Sequence, residues 1–309
     1  MKVLFCCGSS LDYGLDVLFD GLNQVLGSEN IFELPHKPNF HGVMEKKLQW
    51  YPCFFDYPIQ ATDNQKVEML KNNEFDLILV GCRQDTDYLT PELRTLLIEK
   101  SNSIPIFLVD QDDEAGINTN LMNELNGQLY FKREHSKKYL TNSKIIPLNF
   151  SYANKYLPAT ISGERINTLF WAGKEIPSRT PFLQVCREIK GRPFYGYQQE
   201  RYRQKLLINT IGLNLKGRGN DTVRYYEIPA HGALLFTEKP EITIKNDFKD
   251  GQTAVMFETP EEMVEKLNYY LENQDFTDKI RLAGHQWFNK YHTSKIRAEQ
   301  MIAKIIPYL

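Results

Sequence analysis

The sequence predicts an α/β protein of two Rossmann-like lobes with a cleft between them. The chain has 309 residues, more than a single hydrophobic core usually serves, and this length favours two domains. Short apolar runs end at Gly or Asp and are followed by segments with helical spacing. Runs that are apolar almost throughout are typical of parallel strands covered on both faces.

The first lobe is predicted from strands that alternate with helices. Residues 2–7 form an apolar run, and apolar positions between 15 and 26 follow it at helical spacing. A predicted helix over 91–100 separates the apolar runs 76–80 and 104–109. Repetition of this unit predicts a doubly wound sheet.

The second lobe is predicted to follow a polar linker over 150–164, which is rich in turn residues. Its expected strands are 166–172, 211–215 and 233–237. The segment 259–262 (Thr-Pro-Glu-Glu) predicts a helix start, because it offers a Thr N-cap, a Pro in the first turn and a Glu at N3. A further helix is expected over 294–306.

Composition narrows the class of protein. A formal charge of −2 and a pI near 6.3 provide no global attraction to nucleic acid or to an anionic membrane. The first apolar run is too short for a signal peptide or a membrane span, so we expect a cytoplasmic protein. The five cysteines include no C-x-x-C pair, which favours reduced, buried thiols over disulfides or a zinc site.

Candidate site residues are sought beyond the carboxyl ends of the strands, where open parallel sheets bind their ligands. Gly8, Ser9 and Ser10 follow the first strand and would bring backbone N–H groups close to a substrate. The alternative is a tight turn that needs glycine for its own geometry. Asp12 follows this turn, and its alternative role is to stabilise the start of a helix.

A second candidate turn opens the second lobe. Gly173 and Lys174 follow its first strand, and Arg179 lies five residues further on. Two cations at a strand–helix junction would suit a diphosphate. The alternative is an ordinary pair of solvated surface side chains.

The strongest signal is a glycine-rich basic loop over 216–222. It is expected to lead into a short helix that begins near its last two residues and faces the loop with its N-terminus. Arg224 and Glu227 would share one face of that helix and offer a guanidinium to phosphate and a carboxylate to ribose hydroxyls. The alternative is a surface ion pair of small energy. The candidate contacts here are Arg218, Asp221, Thr222, Arg224 and Glu227.

A set of motifs extends from this loop. They are Arg-x-x-Glu (224–227), Ala-x-Gly-Ala-Leu-Leu-x-Thr (230–237), Phe-x-x-Gly (248–251), Thr-Pro-Glu-Glu (259–262), Ala-Gly-His (283–285) and Tyr-His-Thr (291–293). The set covers roughly residues 165 to 300 and resembles the C-terminal half of GT-B glycosyltransferases, in particular the CgeB-like (spore maturation protein) group. The first lobe resembles that fold more loosely.

The resemblance implies an acceptor-side lobe over 1–155, a nucleotide-sugar lobe over 165–285, and a segment over 286–309 whose helix returns to the first lobe. It also implies that Glu227 holds the donor ribose and that the turn of Gly173, Lys174 and Arg179 lies on the phosphate side. Arg224 and the loop before it resemble diphosphate contacts.

One position departs from the family pattern. Many retaining members carry a second glutamate eight residues before the ribose-binding one, and this chain has Gly219 there. The anomeric outcome of the reaction is therefore left open.

The function expected from the resemblance is transfer of a sugar from a nucleotide sugar, most simply a UDP-sugar, to an acceptor hydroxyl without metal or cofactor. If the reaction inverts the anomeric carbon, a base from the first lobe must deprotonate the acceptor hydroxyl, and Asp12 is the first expected base, with Asp110 or His41 next. The acceptor, which could be a saccharide, a protein, a small molecule or a modified nucleic acid, is expected to meet loops such as 35–57. The alternatives are a nucleotide-sugar epimerase and a non-catalytic nucleotide-sugar-binding protein.

Overall fold

The computed structural model describes residues 1–43, 51, 53–82, 88–190 and 197–309, except for the side chains of 187–190. Part of the predicted acceptor loop, residues 44–50 and 52, therefore lies outside the described residues. In the described part of the chain, no helix is both long enough and apolar enough to cross a membrane.

Within the described residues, lobe 1 contains a sheet of six parallel strands. The strands are β1 (Val3–Cys6), β2 (Ile31–Leu34), β3 (Leu77–Gly81), β4 (Ile106–Asp110), β5 (Leu129–Lys132) and β6 (Ile145–Pro147). The helices are α1 (Tyr13–Leu26), α2 (Asp63–Lys71), α3 (Pro91–Lys100) and α4 (Thr119–Glu124). The strand order is β2-β1-β3-β4-β5-β6. The order reverses between β1 and β3, and such a switch point opens a crevice at the carboxyl ends of the strands.

In the part of lobe 2 that the structure describes, four parallel strands lie in the order β10-β9-β8-β7. The strands are β7 (Ile166–Phe170), β8 (Asn209–Asn214), β9 (Leu234–Glu238) and β10 (Val255–Phe257). Its helices are α5 (Thr180–Lys190), α6 (Gln199–Ile208), α7 (Arg224–Ala230), α8 (Pro260–Glu272) and α9 (Gln274–Tyr291). The last helix of the chain is α10 (Ser294–Ile305). The two sheets confirm the predicted α/β architecture of two Rossmann-like lobes.

The predicted start of α8 is confirmed, because the Thr259 hydroxyl accepts a hydrogen bond from the Glu262 backbone N–H at 3.2 Å. By contrast, β2 is missing from the sequence-based prediction. Its four residues include a charged one, Glu33, whose carboxylate is buried against the Lys66 ammonium at 3.0 Å. Because a buried ion pair places a charged residue within the strand, β2 does not form the uninterrupted apolar run by which other strands were predicted.

The chain crosses between the lobes twice, and the two crossings are bonded to each other. The Tyr152 backbone N–H donates to the His292 carbonyl at 3.2 Å, and the Ser294 N–H donates to the Tyr152 carbonyl at 2.9 Å. The crossing at His292 follows α9, which runs through the domain boundary expected at residue 286. The helix that returns to lobe 1 is therefore α10.

The returning helix packs closely against α1. A Cβ atom built on Gly21 of α1 would lie 2.2 Å from the Ser294 carbonyl oxygen at the start of α10. Only glycine permits this approach of two backbones. Ala298, Met301, Ile302 and Ile305 of α10 join the hydrophobic core beneath the lobe 1 sheet, so α10 is structurally part of lobe 1.

Candidate functional site

A cavity of about 630 Å³ lies between the two lobes. Lobe 1 contributes two tyrosines to its wall, and the turn after β7, the start of α6 and the start of α7 contribute the rest. The lining residues are Tyr13, Tyr51, Ala172, Gly173, Lys174, Tyr197, Gln199, Tyr202, Val223, Arg224 and Glu227. This position, between lobes and beyond the carboxyl ends of parallel strands, is where α/β folds bind ligands.

Glu227 is the buried carboxylate of this cavity. It is only 3% exposed and lies in α7, all of whose residues from Tyr225 to Ala230 are buried. Burial raises the pKa of Glu227 to about 7, although the positive charge of Arg224 and the hydroxyl of Tyr202 oppose that rise. Since an uncompensated buried carboxylate is unfavourable, Glu227 is suited to accept hydrogen bonds from a ligand.

Arg224 reaches the turn after β7 from the first position of α7. A Cβ atom built on Gly173 would lie 2.9 Å from Arg224 Nη1, so the absence of a side chain at Gly173 admits the guanidinium. Arg224 Nε is buried and has no hydrogen-bond partner within the described residues. Lys174 is exposed beside it and lines the same cavity. The structure thus brings Gly173, Lys174, Arg224 and Glu227 to the wall of one cavity.

Arg179 is buried, and its guanidinium is occupied by the backbone. It donates to the carbonyl oxygens of Lys216, Lys174 and Leu215 at 2.7, 2.8 and 3.2 Å. Burial and the neighbouring Arg224 lower the pKa of Arg179 to about 10. These contacts connect the turn after β7 to the loop after β8. The Arg179 side chain therefore stabilises the wall of the cavity without lining it.

The glycine-rich loop over 216–222 does not have the arrangement expected of a phosphate-binding loop that leads directly into a helix. Helix α7 begins only at Arg224 and has seven residues. The Thr222 hydroxyl donates to Asn214 Oδ1 at 2.5 Å, and the Asp221 carboxylate accepts from the Phe150 backbone N–H at 2.7 Å. Burial raises the pKa of Asp221 to about 7. Both side chains face protein, Arg218 is exposed, and none of the three lines the cavity.

The turn after β1 and the base expected first lie at the carboxyl end of the lobe 1 sheet. Ser9 and Ser10 are exposed, and a Cβ built on Gly8 would lie 3.4 Å from the Tyr88 ring. Asp12 is the N-cap of α1 and accepts from the Leu15 backbone N–H at 3.1 Å. These residues do not line the 630 Å³ cavity.

The other two candidate bases are engaged within lobe 1. Asp110 accepts from the Tyr130 hydroxyl at 2.5 Å and lies 2.9 Å from Lys132 Nζ. His41 bonds the Tyr57 carbonyl at 2.8 Å and Glu33 at 3.0 Å. Neither lines the cavity.

A group of possible metal ligands surrounds the second of these bases. Glu33, His36 and His41 bring one ligand atom each within 4.8 Å of one another. The ammonium of Lys66 lies 3.0 Å from the same Glu33 oxygen and already supplies a positive charge there. Although burial raises the pKa of Glu33, the hydrogen bond of His41 and the charge of Lys66 lower it to about 2. The group therefore works as an ion-pair network that secures β2.

Sequence reasoning missed the aromatic wall of the cavity. Tyr197 and Tyr202 come from an aromatic-rich stretch before and within α6, which was the available signal. Tyr51 comes from lobe 1 and donates its hydroxyl to the buried Asp16. Asp16 also accepts from Lys37 at 2.6 Å. Local pattern gives no hint of that network, because its members are far apart along the chain.

Comparison with known proteins identifies the fold. An α-glucosyltransferase in complex with UDP-glucose and DNA superposes with a TM-score of 0.63 at 10% identity, over 99% of this chain and 98% of that one. HepE from Anabaena, in complex with UDP-glucose, gives 0.61 at 12% identity over 100% of both chains. A glycosyltransferase from Rickettsia africae gives 0.63 at 12% identity, over 98% of this chain and 97% of that one.

Sequence comparison is more limited in extent. No curated protein matches the chain by sequence. Residues 191–303 match the family described as glycosyl transferase-like, and this segment contains the loop, Arg224 and Glu227. The chain therefore has the GT-B fold of two Rossmann-like lobes, and the segment that carries Arg224 and Glu227 is similar to the glycosyl transferase-like family.

Proposed function

We propose that the protein is a glycosyltransferase that moves a hexosyl group from a nucleotide sugar, a UDP-sugar, to an acceptor hydroxyl without a metal ion. The observation that carries this proposal is the interlobe cavity, where the buried Glu227 lies beside the cations Arg224 and Lys174. Two of the superposed structures hold UDP-glucose. Within the class, the motif set of the second lobe supports a CgeB-like enzyme, and the free buried cysteines support a reducing, cytoplasmic setting.

The donor is oriented by complementary charge. A carboxylate accepts hydrogen bonds from ribose hydroxyls, so Glu227 would hold the ribose. Arg224 and Lys174 would lie against the diphosphate, and the tyrosines of the cavity offer ring faces to the base. Arg179 adds positive charge from behind the turn while its hydrogen bonds keep the turn in place.

Transfer breaks the bond between the sugar C1 and the diphosphate oxygen, and that oxygen keeps the electron pair. Arg224 and Lys174 would stabilise the negative charge that develops there, which replaces the need for a metal. The acceptor oxygen forms the new bond to C1 and loses its proton to a base in lobe 1. Asp12 is the candidate base, because it lies at the carboxyl end of the lobe 1 sheet, where α1 begins.

The test is a titration of the protein with UDP, GDP, CDP, ADP and TDP and their glucose conjugates, followed by calorimetry or thermal shift. A ligand at a hundred times its Kd adds about 2.7 kcal/mol to stability. We expect one nucleotide class to bind, and Glu227→Ala and Arg224→Ala to abolish that binding. Glu258→Ala is the matched control, because Glu258 is an exposed lobe 2 carboxylate paired with Lys239. A protein that binds none of these ligands contradicts the proposal.

The candidate base has its own test. Asp12→Asn should abolish turnover of the donor while donor binding stays at its wild-type level, since Asn preserves the N-cap of α1. EDTA should leave turnover unchanged. An active Asp12→Asn variant removes Asp12 from the mechanism.

A further inference from the structure

The buried carboxylate of Glu134, a lobe 1 residue, contacts the glycine-rich loop of lobe 2. Glu134 follows β5 and is only 2% exposed. Its Oε1 accepts from the Asp221 backbone N–H at 2.8 Å, and its Oε2 accepts from the Asn220 backbone N–H at 3.0 Å and from Asn220 Nδ2 at 3.3 Å. Charge-assisted bonds of this kind are about twice as strong as neutral ones. These two backbone amides of the loop, which resembles a diphosphate contact in sequence, therefore bind a carboxylate of the protein itself.

The glycine that precedes these amides makes room for the contact. A Cβ atom built on Gly219 would lie 2.6 Å from Glu134 Oε1 and 3.2 Å from Arg133 Nη2. The backbone of Gly219 does not require a positive φ, so its role is one of space. Gly219, the position where the chain departs from the family pattern, is explained by the approach of Glu134.

The contact is linked to the cavity by a short stretch of backbone. Arg224 follows Asp221 by three residues and begins α7. The Asp221 side chain is held at the same time, because it accepts from the Phe150 backbone N–H at the crossing between the lobes. The loop is thus fixed from lobe 1 at both its backbone and its side chain, immediately before the helix that carries Arg224 and Glu227.

We propose that Glu134 is a positioning residue of the donor site. Its carboxylate holds the backbone of Asn220 and Asp221, sets the start of α7, and aims Arg224 and Glu227 into the cavity only while the lobes are docked together. The statement about donor binding rests on the proposed function. The statement about the loop contact stands on the geometry alone.

Two substitutions separate the carboxylate from the shape of the side chain. Glu134→Ala leaves a space beside two unpaired N–H groups, which formate can enter and fill with a carboxylate. Glu134→Gln fills the space but turns an amide NH₂ toward N–H donors, so formate has no room. Glu241→Ala is the matched control, because Glu241 contacts the same loop through Lys216 at 2.9 Å but is 82% exposed.

The experiment measures thermal unfolding and UDP-glucose affinity of the full chain, in sodium formate and in sodium chloride at equal ionic strength. In chloride, both Glu134 variants should unfold at lower temperature and bind UDP-glucose about tenfold more weakly, a change of about 1.4 kcal/mol. Formate should restore both properties of Glu134→Ala and neither property of Glu134→Gln. Glu241→Ala should match the wild type in both salts.

Three results would overturn the proposal. In the first, Glu134→Gln binds the donor as tightly as the wild type at temperatures where the variant is folded. In the second, formate affects the wild type as much as it affects Glu134→Ala. In the third, formate has no effect on Glu134→Ala. If Glu134→Ala does not fold, the Glu134→Gln titration decides. If the wild type binds no nucleotide sugar, the proposed function fails, and formate rescue of the unfolding temperature still decides the loop contact.

Discussion

Glu227 should destabilise the ligand-free protein and strengthen donor binding at the same time. Its pKa rises from the ordinary 4.5 to about 7 through burial. Between these pH values the unfolded chain has lost the proton that the folded chain keeps, so stability falls as pH rises through this window and stays lower above pH 7. The difference between the two pKa values corresponds to roughly 3 kcal/mol.

Glu227→Gln removes this penalty. Below about pH 4.5 the variant and the wild type should be equally stable, because the carboxyl group is protonated in both states of the wild type. At pH 8 the variant should be more stable by up to roughly 3 kcal/mol, or several degrees of melting temperature. Asp221, which is buried, and Asp247, which is half-buried, also have raised pKa values, but both proteins contain them, so the difference isolates Glu227.

Donor binding should change in the opposite direction. The ionised fraction of a group with a pKa near 7 rises about tenfold between pH 6 and pH 8. Since ribose hydroxyls bond the ionised form, wild-type affinity for UDP-glucose should rise about tenfold over this range. Glu227→Gln should bind weakly at every pH. The reasoning is refuted if the variant melts below the wild type at pH 8, or if wild-type affinity is independent of pH.

Three further outcomes are expected. Arg224→Met should weaken UDP far more than uridine in a competition titration, because only the diphosphate needs the guanidinium. Gly173→Ala should push away Arg224, whose Nη1 would lie 2.9 Å from the new Cβ, and so reduce donor affinity with little change in melting temperature. Gly21→Ala should lower the melting temperature by an amount equivalent to about 1 to 3 kcal/mol, because the new Cβ meets a backbone oxygen at 2.2 Å; unchanged melting would contradict the close packing of α1 and α10.

Local pattern was sufficient for many of the elements and for part of the site. Strands such as β1, β3 and β4 are short apolar runs, and the N-cap of α8 is encoded within four residues, whereas β2 contains the charged Glu33 and was not predicted. Gly173, Lys174, Arg224 and Glu227 could be anticipated because each follows a strand or begins a helix at the carboxyl edge of one sheet. Parallel strands bring such positions together without any further information.

Long-range polar partners could not be anticipated. The carboxylate that occupies the loop amides lies 87 positions before Asp221, and no spacing rule connects Glu134 with that loop. Arg179 has a charge that suggests a phosphate contact, but three backbone carbonyls bind it. In both cases the residue type was informative, while its partner depended on how distant segments pack.

The return of α10 to lobe 1 has a consequence for the order in which the protein can fold. Domains generally fold as units during synthesis, beginning from the N-terminal side. Here the helix that covers α1 is translated only after all of lobe 2, so lobe 1 keeps an apolar face exposed on the ribosome while lobe 2 is being made. The Ser294 contact with Gly21 and the core residues of α10 would complete lobe 1 last, although its sheet is synthesised first.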